Sequence, residues 1–526
     1  HLHPDLDLHL FAMEPEVVDP VALTFAADGT AYVLEMRDYP FGFGPDRKPG
    51  GTLRRLVDGD RDGRIRTGNG SPDTVTLFAD HLSFPTSVMA WERGVLVAAP
   101  PEILYLEDRD GDGRAEHREV VLAGLKLGVT DSNFSGLRWG LDNWIHAVNG
   151  GNGGAVRFPA FPNNPAITLG DRDFRLRPRA GALELTTDTG GGFGLVFDDW
   201  GQSFTPHNVN HMQQRVVDND LLDRFPGLPP IPTTHSISDH GEMARIFGVA
   251  EAQTRPNHPE QAGHFSAAGG MGFISHRGWP ARLQGSALVC DVAANLVHRD
   301  LLVPDGPILR ATRAPEEQAS EFFASRDPQF RPTGVEQGPD GALYLLDMQR
   351  AVIEHPDYIP RKLLETLDIR AGDDRGRIYR LVPKDSRALE QSLREAGTFD
   401  PGRPGREMLP AAASPQQLVV LLGSPNPWTR LTAQRLLVTS SATGVVANLQ
   451  RVLASSGERP APALARLHAL RTLEGLGALD HTSLLLALQD PEPGVRVNGL
   501  QIASALRERS PGIEARIAAL LDDPHA

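Results

Sequence analysis

Cysteine is almost absent from this sequence of 526 residues, which contains only Cys290. One thiol cannot form a disulfide within the chain, and it is too little for a cysteine-rich metal site or a C-x-x-C-H haem attachment motif. Long apolar runs are absent as well. No stretch reaches the ~18 apolar residues that a membrane-spanning helix needs, so we predict no membrane span.

Positive charge is also scarce, because 52 Lys and Arg residues face 67 Asp and Glu residues, for a net charge of −15. No basic stretch is long enough to follow a phosphate backbone, which excludes nucleic acid as an expected partner. The chain starts at His1 without a signal peptide, so we expect a mature or shortened form of the protein.

The 53 Gly and 43 Pro residues cluster before residue 410, as in a turn-rich β domain. After that point Leu, Ala and Arg recur with helical spacing. We therefore predict a β domain over residues 1–384, a Pro-, Gly- and charge-rich linker over 385–412, and a helical region over 413–526.

One pattern recurs along the β domain: an apolar strand, a polar turn with Asp or Gly, and a second apolar strand. Its six copies lie at 21–36, 87–100, 135–150, 193–208, 271–292 and 333–348. Turns such as Asp28-Gly29 and Asp340-Gly341 supply the positive φ that tight hairpins need. The pattern predicts a six-bladed β-propeller, with a large β-sandwich as the alternative.

The segment 5–12 alternates like a strand and precedes the first copy. We predict that it pairs beside residues 376–383 in the last blade, which would close the ring and remove an open sheet edge.

Three segments of the helical region, 424–437, 461–473 and 490–506, each place an Arg near the start of an apolar helical stripe. Their spacing resembles that of HEAT repeats, in which stacked helix pairs bury a shared face. Such a tail offers a surface for a protein partner.

One acidic loop has the ligand spacing of a calcium site, with alternate carboxylates, a glycine for the sharp turn and a late acid. Its predicted ligands are Asp108, Asp110, Asp112 and Glu116. Residues 58–63 begin the same pattern, but Arg66 replaces the closing acid. A solvated acidic turn is the alternative for both loops. Because both follow a third strand, they should lie opposite the active face, where an ion would be structural.

In a propeller, the loops that leave each second strand share one face with the loops that enter each first strand, and this face surrounds the channel. His, Arg, Asp and Asn concentrate in these loops here. A histidine near a carboxylate can act as a base near neutral pH, and arginines can hold an anionic group. We therefore predict a functional site on this face, with merely solvated loops as the alternative.

We assign catalytic roles to His207, His211, Asp347 and Arg350. His207 or His211 is the predicted base, and metal ligation is the alternative for this pair. Asp347 would orient the base or bind a cation, whereas Arg350 would neutralise an anionic cofactor or substrate. The predicted cofactor-binding residues are Arg37, Tyr39, Asn149, Asn208, Asn210, Arg331 and Gln349. We expect His298, on an outer strand, to be structural.

The segments GLRWGLDNWIHAVNG, GFGLVFDDWGQSF and DDRGRIYRLVP resemble a bacterial family labelled membrane-bound dehydrogenases, related to quinoprotein glucose and sorbosone dehydrogenases. The resemblance covers most of residues 5–383. It implies oxidation of a sugar or alcohol with pyrroloquinoline quinone, electron transfer to a cytochrome c, and a periplasmic or extracellular location. The glucose dehydrogenases carry a catalytic His just ahead of the third blade. Asn133 and Phe134 stand there, so His207 or His211 would substitute.

Three functions remain open at this point. The first is an oxidoreductase that acts on a sugar or alcohol with a bound quinone. The second is a metal-assisted hydrolase, lyase or lactonase for carbohydrate at the same face. The third is a non-catalytic binding module, because a propeller fold by itself does not determine function.

Overall fold

The computed structural model describes the chain except residues 45, 69, 226, 230, 252–253, 388, 390, 392–412, 456–459, 507–509 and 526. Most of the predicted linker, 385–412, lies outside the described residues, and the domain boundaries drawn from it stay predictions. The described residues form six β-sheets followed by a helical region. The predicted fold class, a six-bladed propeller with an α-helical tail, is confirmed.

The described strands are short, and most hairpins follow the predicted copies. They are β1 (Leu6–Met13), β2 (Pro20–Phe25), β3 (Ala31–Glu35), β4 (Gly51–Val57), β5 (Thr74–Leu82), β6 (Ser87–Trp91), β7 (Gly94–Ala99), β8 (Glu102–Glu107), β9 (His117–Leu125), β10 (Ser135–Trp139), β11 (Ile145–Val148), β12 (Gly154–Arg157), β13 (Ile167–Thr168), β14 (Arg172–Arg177), β15 (Ala182–Asp188), β16 (Val196–Phe197), β17 (Ser203–His207), β18 (Asn210–Arg215), β19 (Thr234–Ser236), β20 (Ala268–Ile274), β21 (Ser286–Asp291), β22 (Leu296–Asp305), β23 (Ile308–Arg313), β24 (Phe323–Ala324), β25 (Pro332–Gln337), β26 (Leu343–Asp347) and β27 (Arg377–Pro383).

Each blade is an antiparallel sheet whose first strand lines the central channel. Blades one and two contain β2–β5 and β6–β9, and blade three contains β10, β11, β14 and β15. Between β11 and β14 the chain returns to blade two, where β12 and β13 extend the sheet beyond β9. Blades four and five contain β16–β19 and β20–β23, and blade six contains β25–β27 with β1 at its outer edge.

The closure of the ring follows the prediction. Strand β1 pairs antiparallel with β27, from Leu6 opposite Pro383 to Met13 opposite Arg377. The first and last strands of the propeller therefore share one sheet, and blade six has no open edge at this position. This pairing confirms the sequence-based expectation for residues 5–12.

Middle strands are the most buried because neighbouring blades cover both of their faces. Every residue of β3 and of β7 is buried. Each Val or Leu side chain removed from water in these strands contributes about 1.5–3 kcal/mol to folding. At the first hairpin turn Gly29 has a φ of +85°, which explains why a glycine follows Asp28 there.

We call the end of the channel where first strands begin the upper end, and the opposite end the lower end. Inside the channel the guanidinium of Arg138 in blade three donates to both carboxylate oxygens of Glu336 in blade six, at 2.8 and 2.7 Å. This ion pair joins two blades that are not neighbours in the ring, so it crosses the channel.

Two short helices, α1 (Asn219–Asp223) and α2 (Arg361–Leu364), lie in propeller loops. The tail contains α3 (Pro415–Leu421), α4 (Pro427–Thr439), α5 (Val446–Leu453), α6 (Ala463–Gly475), α7 (His481–Leu488), α8 (Pro493–Ala505) and α9 (Pro511–Ala519). Helices α4, α6 and α8 lie within or next to the three segments 424–437, 461–473 and 490–506, and α6 packs against both of the others. No helix among the described residues is long and apolar enough to cross a membrane.

The tail packs against the lower end of the propeller. Asn426 caps α4 by accepting from the Trp428 amide, and its own amide donates to the carbonyls of Gly338 and Pro339 in blade six. Arg430 pairs with Asp199 at 2.6 Å. These contacts place helix α4 across the end of the channel.

Candidate functional site

A cavity of about 550 Å³ lies at the upper end of the channel. Its wall combines the starts of inner strands with the loop between β19 and β20, residues 237–267, which we call the blade-five insertion. The polar residues that matter for its chemistry are Tyr39, Asn133, His207, Asn208, Arg255 and Glu354. The cavity is large enough for one small polar molecule.

His207 is the last residue of β17 and is followed by a tight turn back into β18 through Asn208. Its ring is exposed on the cavity wall. The pKa of His207 is lowered below its ordinary value of 6.5, mainly because the ring is partly desolvated and also because the Arg255 guanidinium is nearby. The imidazole is therefore neutral near pH 7 and has a lone pair available to accept a proton.

Arg255 of the blade-five insertion lies beside Glu354, with Nη1 3.7 Å from Oε2. Burial raises the pKa of Glu354, although the His355 amide, which donates to its other oxygen at 2.9 Å, opposes that shift. The wall therefore brings together a neutral base, a permanent cation and a carboxyl group with an elevated pKa. Sequence reasoning did not identify Arg255, because the long insertion carries no motif.

Two buried N–H donors on the wall, Nε of Arg255 and Nδ2 of Asn133, have no hydrogen-bond partner among the residues that the structure describes. The amide oxygen of Asn133 is satisfied, since it accepts from the Gly128 amide at 2.8 Å. An unsatisfied buried donor is costly, so such groups mark a place where an acceptor from water or a ligand belongs. Both donors would suit carbonyl, carboxylate or hydroxyl oxygens.

Of the sequence-predicted residues, Tyr39, His207 and Asn208 line this cavity. Asp347 and Arg350 do not. The Arg350 guanidinium pairs with Asp19 through two bonds of 2.6 and 2.8 Å, and both side chains are fully buried. Arg331 directs its donors at main-chain carbonyls, including those of residues 350 and 351, at 2.8 Å each. The structure therefore does not bring the predicted catalytic residues into one concavity.

Asp347 follows a pattern that three blades share. It ends β26 and accepts from the main-chain amide of Arg331, just before the first strand of the same blade, at 2.8 Å. Asp291 ends β21 and accepts from the amide of Ser266 at 3.0 Å, and Glu35 ends β3 and accepts from that of Val18 at 2.9 Å. These carboxylates hold the loops that enter their own blades. Burial raises the pKa of Asp347 to about 6.

The remaining predicted binding residues lie outside the cavity wall. Gln349 donates to Asp347 at 2.8 Å, and Asn149 donates to the Gly170 carbonyl at 2.9 Å. Asn210 accepts from Ser236 at 3.1 Å. Arg37 is half-buried, and its carbonyl accepts from Arg370. Their assignment to a cofactor stays a prediction.

His211 is fully buried, and it points away from the upper cavity into a cluster with His240, His298 and Asp300. Its Nε2 lies 3.0 Å from Asp300 Oδ2, and its ring stacks on Phe265 with centroids 4.3 Å apart. This cluster joins blade four, the blade-five insertion and β22. The sequence signalled only part of it, because His240 carries no recognisable spacing to the others.

In the acidic loop between β8 and β9, carboxylates accept hydrogen bonds from amides of the same loop. Asp108 accepts from the amides of Gly111 and Gly113 at 2.6 and 2.8 Å, and Glu116 accepts from the Arg109 amide at 2.9 Å. One oxygen from each of Asp108, Asp110, Asp112 and Glu116 lies within 4.8 Å of the others. The side chains are mostly exposed.

A family model matches residues 1–385 of this chain. The chain belongs to the family described as a domain of unknown function, DUF7133. No curated protein matches it.

Several solved propellers are similar to this DUF7133 chain. A Thermus thermophilus protein described as an oxidoreductase (glucose dehydrogenase) is 17 % identical over 72 % of this chain and 100 % of its own, with a TM-score of 0.41. The soluble aldose sugar dehydrogenase of Escherichia coli, in its apo form, is 12 % identical over 72 % and 100 %, with a TM-score of 0.39. The PQQ-bound aldose sugar dehydrogenase of Streptomyces coelicolor is 13 % identical over 73 % and 100 %, with a TM-score of 0.37. Similarity this low carries no argument about function.

Proposed function

We propose that the upper cavity is the active site of an oxidoreductase that oxidises a hydroxyl group of a sugar or another alcohol. The observation that carries the proposal is the placement of His207, a neutral base on the cavity wall, next to the cation Arg255. Alcohol oxidation needs a group that removes the hydroxyl proton, and a neutral imidazole does this near pH 7.

Pyrroloquinoline quinone is the proposed cofactor, and the cavity wall fits part of its chemistry. Its carboxylate and carbonyl oxygens are acceptors, and Arg255 Nε and Asn133 Nδ2 are buried donors to which no described residue offers an acceptor. Arg255 would hold a carboxylate and Asn133 a second oxygen. When bound, the quinone supplies the acceptor for the hydride that leaves the carbinol carbon.

The residues of the chain would do the rest. His207 would accept the hydroxyl proton as the carbonyl forms. Arg255 would then stabilise negative charge on the same wall, where its guanidinium is largely shielded from solvent. Asn208 and Tyr39 would orient the substrate, since both line the cavity.

The test is dye reduction by the full chain reconstituted with pyrroloquinoline quinone and offered a panel of aldoses and alcohols. We expect turnover and a quinone absorbance that stays with the protein on gel filtration. In Arg255→Ala we expect this absorbance to be lost from the protein. His81→Ala is the matched control for His207→Ala, because His81 is exposed on β5, away from the cavity. A reconstituted protein that retains no quinone and reduces no dye would refute the proposal.

An acid–base hydrolase, lyase or lactonase is the second candidate. The specific observation in its favour is that burial raises the pKa of Glu354 while the pKa of His207 is lowered, the directions that a general acid and a general base need. Hydrolysis of sugar lactones without added quinone, lost in Glu354→Gln, would favour this reaction over the oxidation.

Further parts of the proposal concern the surroundings of the site. We propose a structural calcium ion in the loop 108–116, supported by the mutual closeness of its four carboxylates. We also propose a periplasmic or extracellular protein whose electrons pass to a separate cytochrome c, as the family resemblance implies. The tail, whose helices α4, α6 and α8 stack in sequence, is proposed to be HEAT-like and to offer a protein-binding surface.

A further inference from the structure

We propose that His211, His240, His298 and Asp300 bind one divalent transition-metal ion, preferably zinc, between blades four and five. The proposal is independent of the reaction at the upper cavity. Three imidazoles and one carboxylate are a donor set that tetrahedral zinc accepts. Each of these residues offers one ligand atom, and the four atoms lie within 4.8 Å of one another.

The ring nitrogens of the three histidines converge on one carboxylate. The Nε2 atoms of all three histidines face the Asp300 carboxylate, at 3.0 Å for His211, 3.2 Å for His240 and 3.1 Å for His298. Three rings from two blades and the blade-five insertion thus converge on one side chain. A metal ion between them would replace these nitrogen–oxygen contacts by bonds of about 2.0–2.2 Å.

The other ring nitrogen of two of these histidines also lies beside a carboxylate. Nδ1 of His298 lies 2.8 Å from Glu321, and Nδ1 of His240 lies 2.6 Å from Asp239. A carboxylate behind a metal-bound histidine holds its Nδ1–H and turns the Nε2 lone pair towards the metal. With those tautomers, the Nε2 lone pairs of both rings face the oxygens of Asp300, so either a proton on each Nε2 or a shared metal ion has to lie between them.

The buried charges around the cluster also favour a bound cation. Asp300 and Glu321 are buried, with exposed fractions of 0 % and 1 %. The guanidinium of Arg313 pairs with Glu321 at 3.1 Å. Among the ion pairs of the described residues, no arginine or lysine contacts Asp300. A buried carboxylate is costly unless a cation pairs with it, and a metal ion at the three nitrogens would supply that charge in place of protonated imidazoles.

The site would also explain how the blade-five insertion is held. His240 lies near the start of that insertion, His211 belongs to β18, and His298 and Asp300 belong to β22. A shared ion fixes the insertion to two blades and so holds Arg255 over the upper cavity. His240 is the most exposed ligand, with a side-chain exposure of 19 %, which places the entry route for the ion there.

The first experiment measures metal content of the full chain, expressed without a histidine tag and dialysed against a weak chelator. We expect close to one zinc per chain. After removal by a strong chelator, added zinc should raise the melting temperature in a concentration-dependent way. Added Co²⁺ should give the visible absorption bands of a tetrahedral nitrogen-rich site, which the oxygen-only loop at 108–116 cannot produce.

Variants separate this site from adventitious binding. His240→Ala removes the most exposed ligand, so the fold should persist while zinc affinity falls at least about 100-fold; Asp239→Asn, which loosens the same ring, should cost about 10–100-fold. His81→Ala and Asp110→Ala are the controls and should leave the cobalt spectrum unchanged. The proposal is overturned if the wild type retains no metal and melts at the same temperature in zinc and in chelator. A cobalt spectrum that survives in His240→Ala would overturn it too.

Discussion

The buried pair between Arg350 and Asp19 makes a sharp prediction about stability. Both side chains have an exposed fraction of 0 %, and the two charge-assisted bonds measure 2.6 and 2.8 Å. Arg350 follows β26 in blade six, whereas Asp19 precedes β2 in blade one, so the pair lies where the ring closes. Arg350→Ala leaves a carboxylate buried without these bonds, and breaking a buried pair in this way costs about 3–5 kcal/mol.

The assay is urea unfolding followed by tryptophan fluorescence, with Arg361→Ala as the matched control. Arg361 is an exposed arginine that pairs with Glu365 at 3.5 Å, and its loss should cost less than about 1 kcal/mol. The double variant Asp19→Asn/Arg350→Met should recover part of the lost unfolding free energy, because no unpaired charge stays buried. Asparagine also tolerates the φ of +50° at position 19. If Arg350→Ala is as stable as the control and instead abolishes turnover, Arg350 acts on a ligand and this reasoning fails.

Further predictions concern the site, the acidic loop and the tail. His207→Ala should lower kcat/KM by about 10²–10⁴-fold with little change in unfolding free energy, and an unchanged kcat/KM would contradict its role as the base. Because the pKa of His207 is lowered below 6.5, kcat/KM should stay constant as the pH falls through 6.5 and should decline only at the lower pH where the ring becomes protonated. A decline in kcat/KM centred at pH 6.5 or above would contradict the lowered pKa. A chelator should lower the melting temperature, and Asp110→Ala should remove the part of that sensitivity due to loop 108–116; equal sensitivity in variant and wild type would exclude calcium there. Asn426→Ala should cost about 1–2 kcal/mol, measured by urea unfolding, because it removes both the cap of α4 and two bonds to blade six.

The propeller was predictable because its signals are local. A strand, a turn with positive φ and a second strand fit within one short segment, as in residues 21–36 and 333–348, and six such segments leave few alternatives. The closing strand was predictable for a related reason. An alternating segment before the first blade needs a partner, and the last blade offers an edge.

The candidate site was less predictable because polar loop residues have two possible partners. Asp347 in a loop next to the channel suits a ligand, but the structure directs it to the amide of Arg331. The same arrangement at Asp291 and Glu35 indicates a structural role: in these three blades the loop that enters the first strand has a buried amide that needs an acceptor. A sequence does not distinguish a carboxylate that serves the main chain from one that serves a substrate.

The blade-five insertion contains the other site residues that the sequence did not predict. Arg255 and His240 both lie in the blade-five insertion, and neither stands at a recognisable spacing from its partners. His298 and Asp300 gave a weak signal as two ligand types on alternate residues of one strand, which place them on the same face of β22. The structural role expected for His298 is consistent with its burial, whereas its convergence with His211 and His240 depends on the packing of two blades.

The position of the tail bears on how a ligand reaches the channel. Helix α4 lies across the lower end, where Arg435 donates to the Ala90 carbonyl at 2.5 Å and Gln434 donates to that of Leu141 at 2.9 Å. Further up, the ion pair between Arg138 and Glu336 crosses the channel. A substrate that entered from below would have to displace both sets of bonds, whereas the upper cavity is reached without breaking either. Because His207 and Arg255 line the upper cavity, an approach from that end reaches the proposed chemistry with both sets of bonds intact.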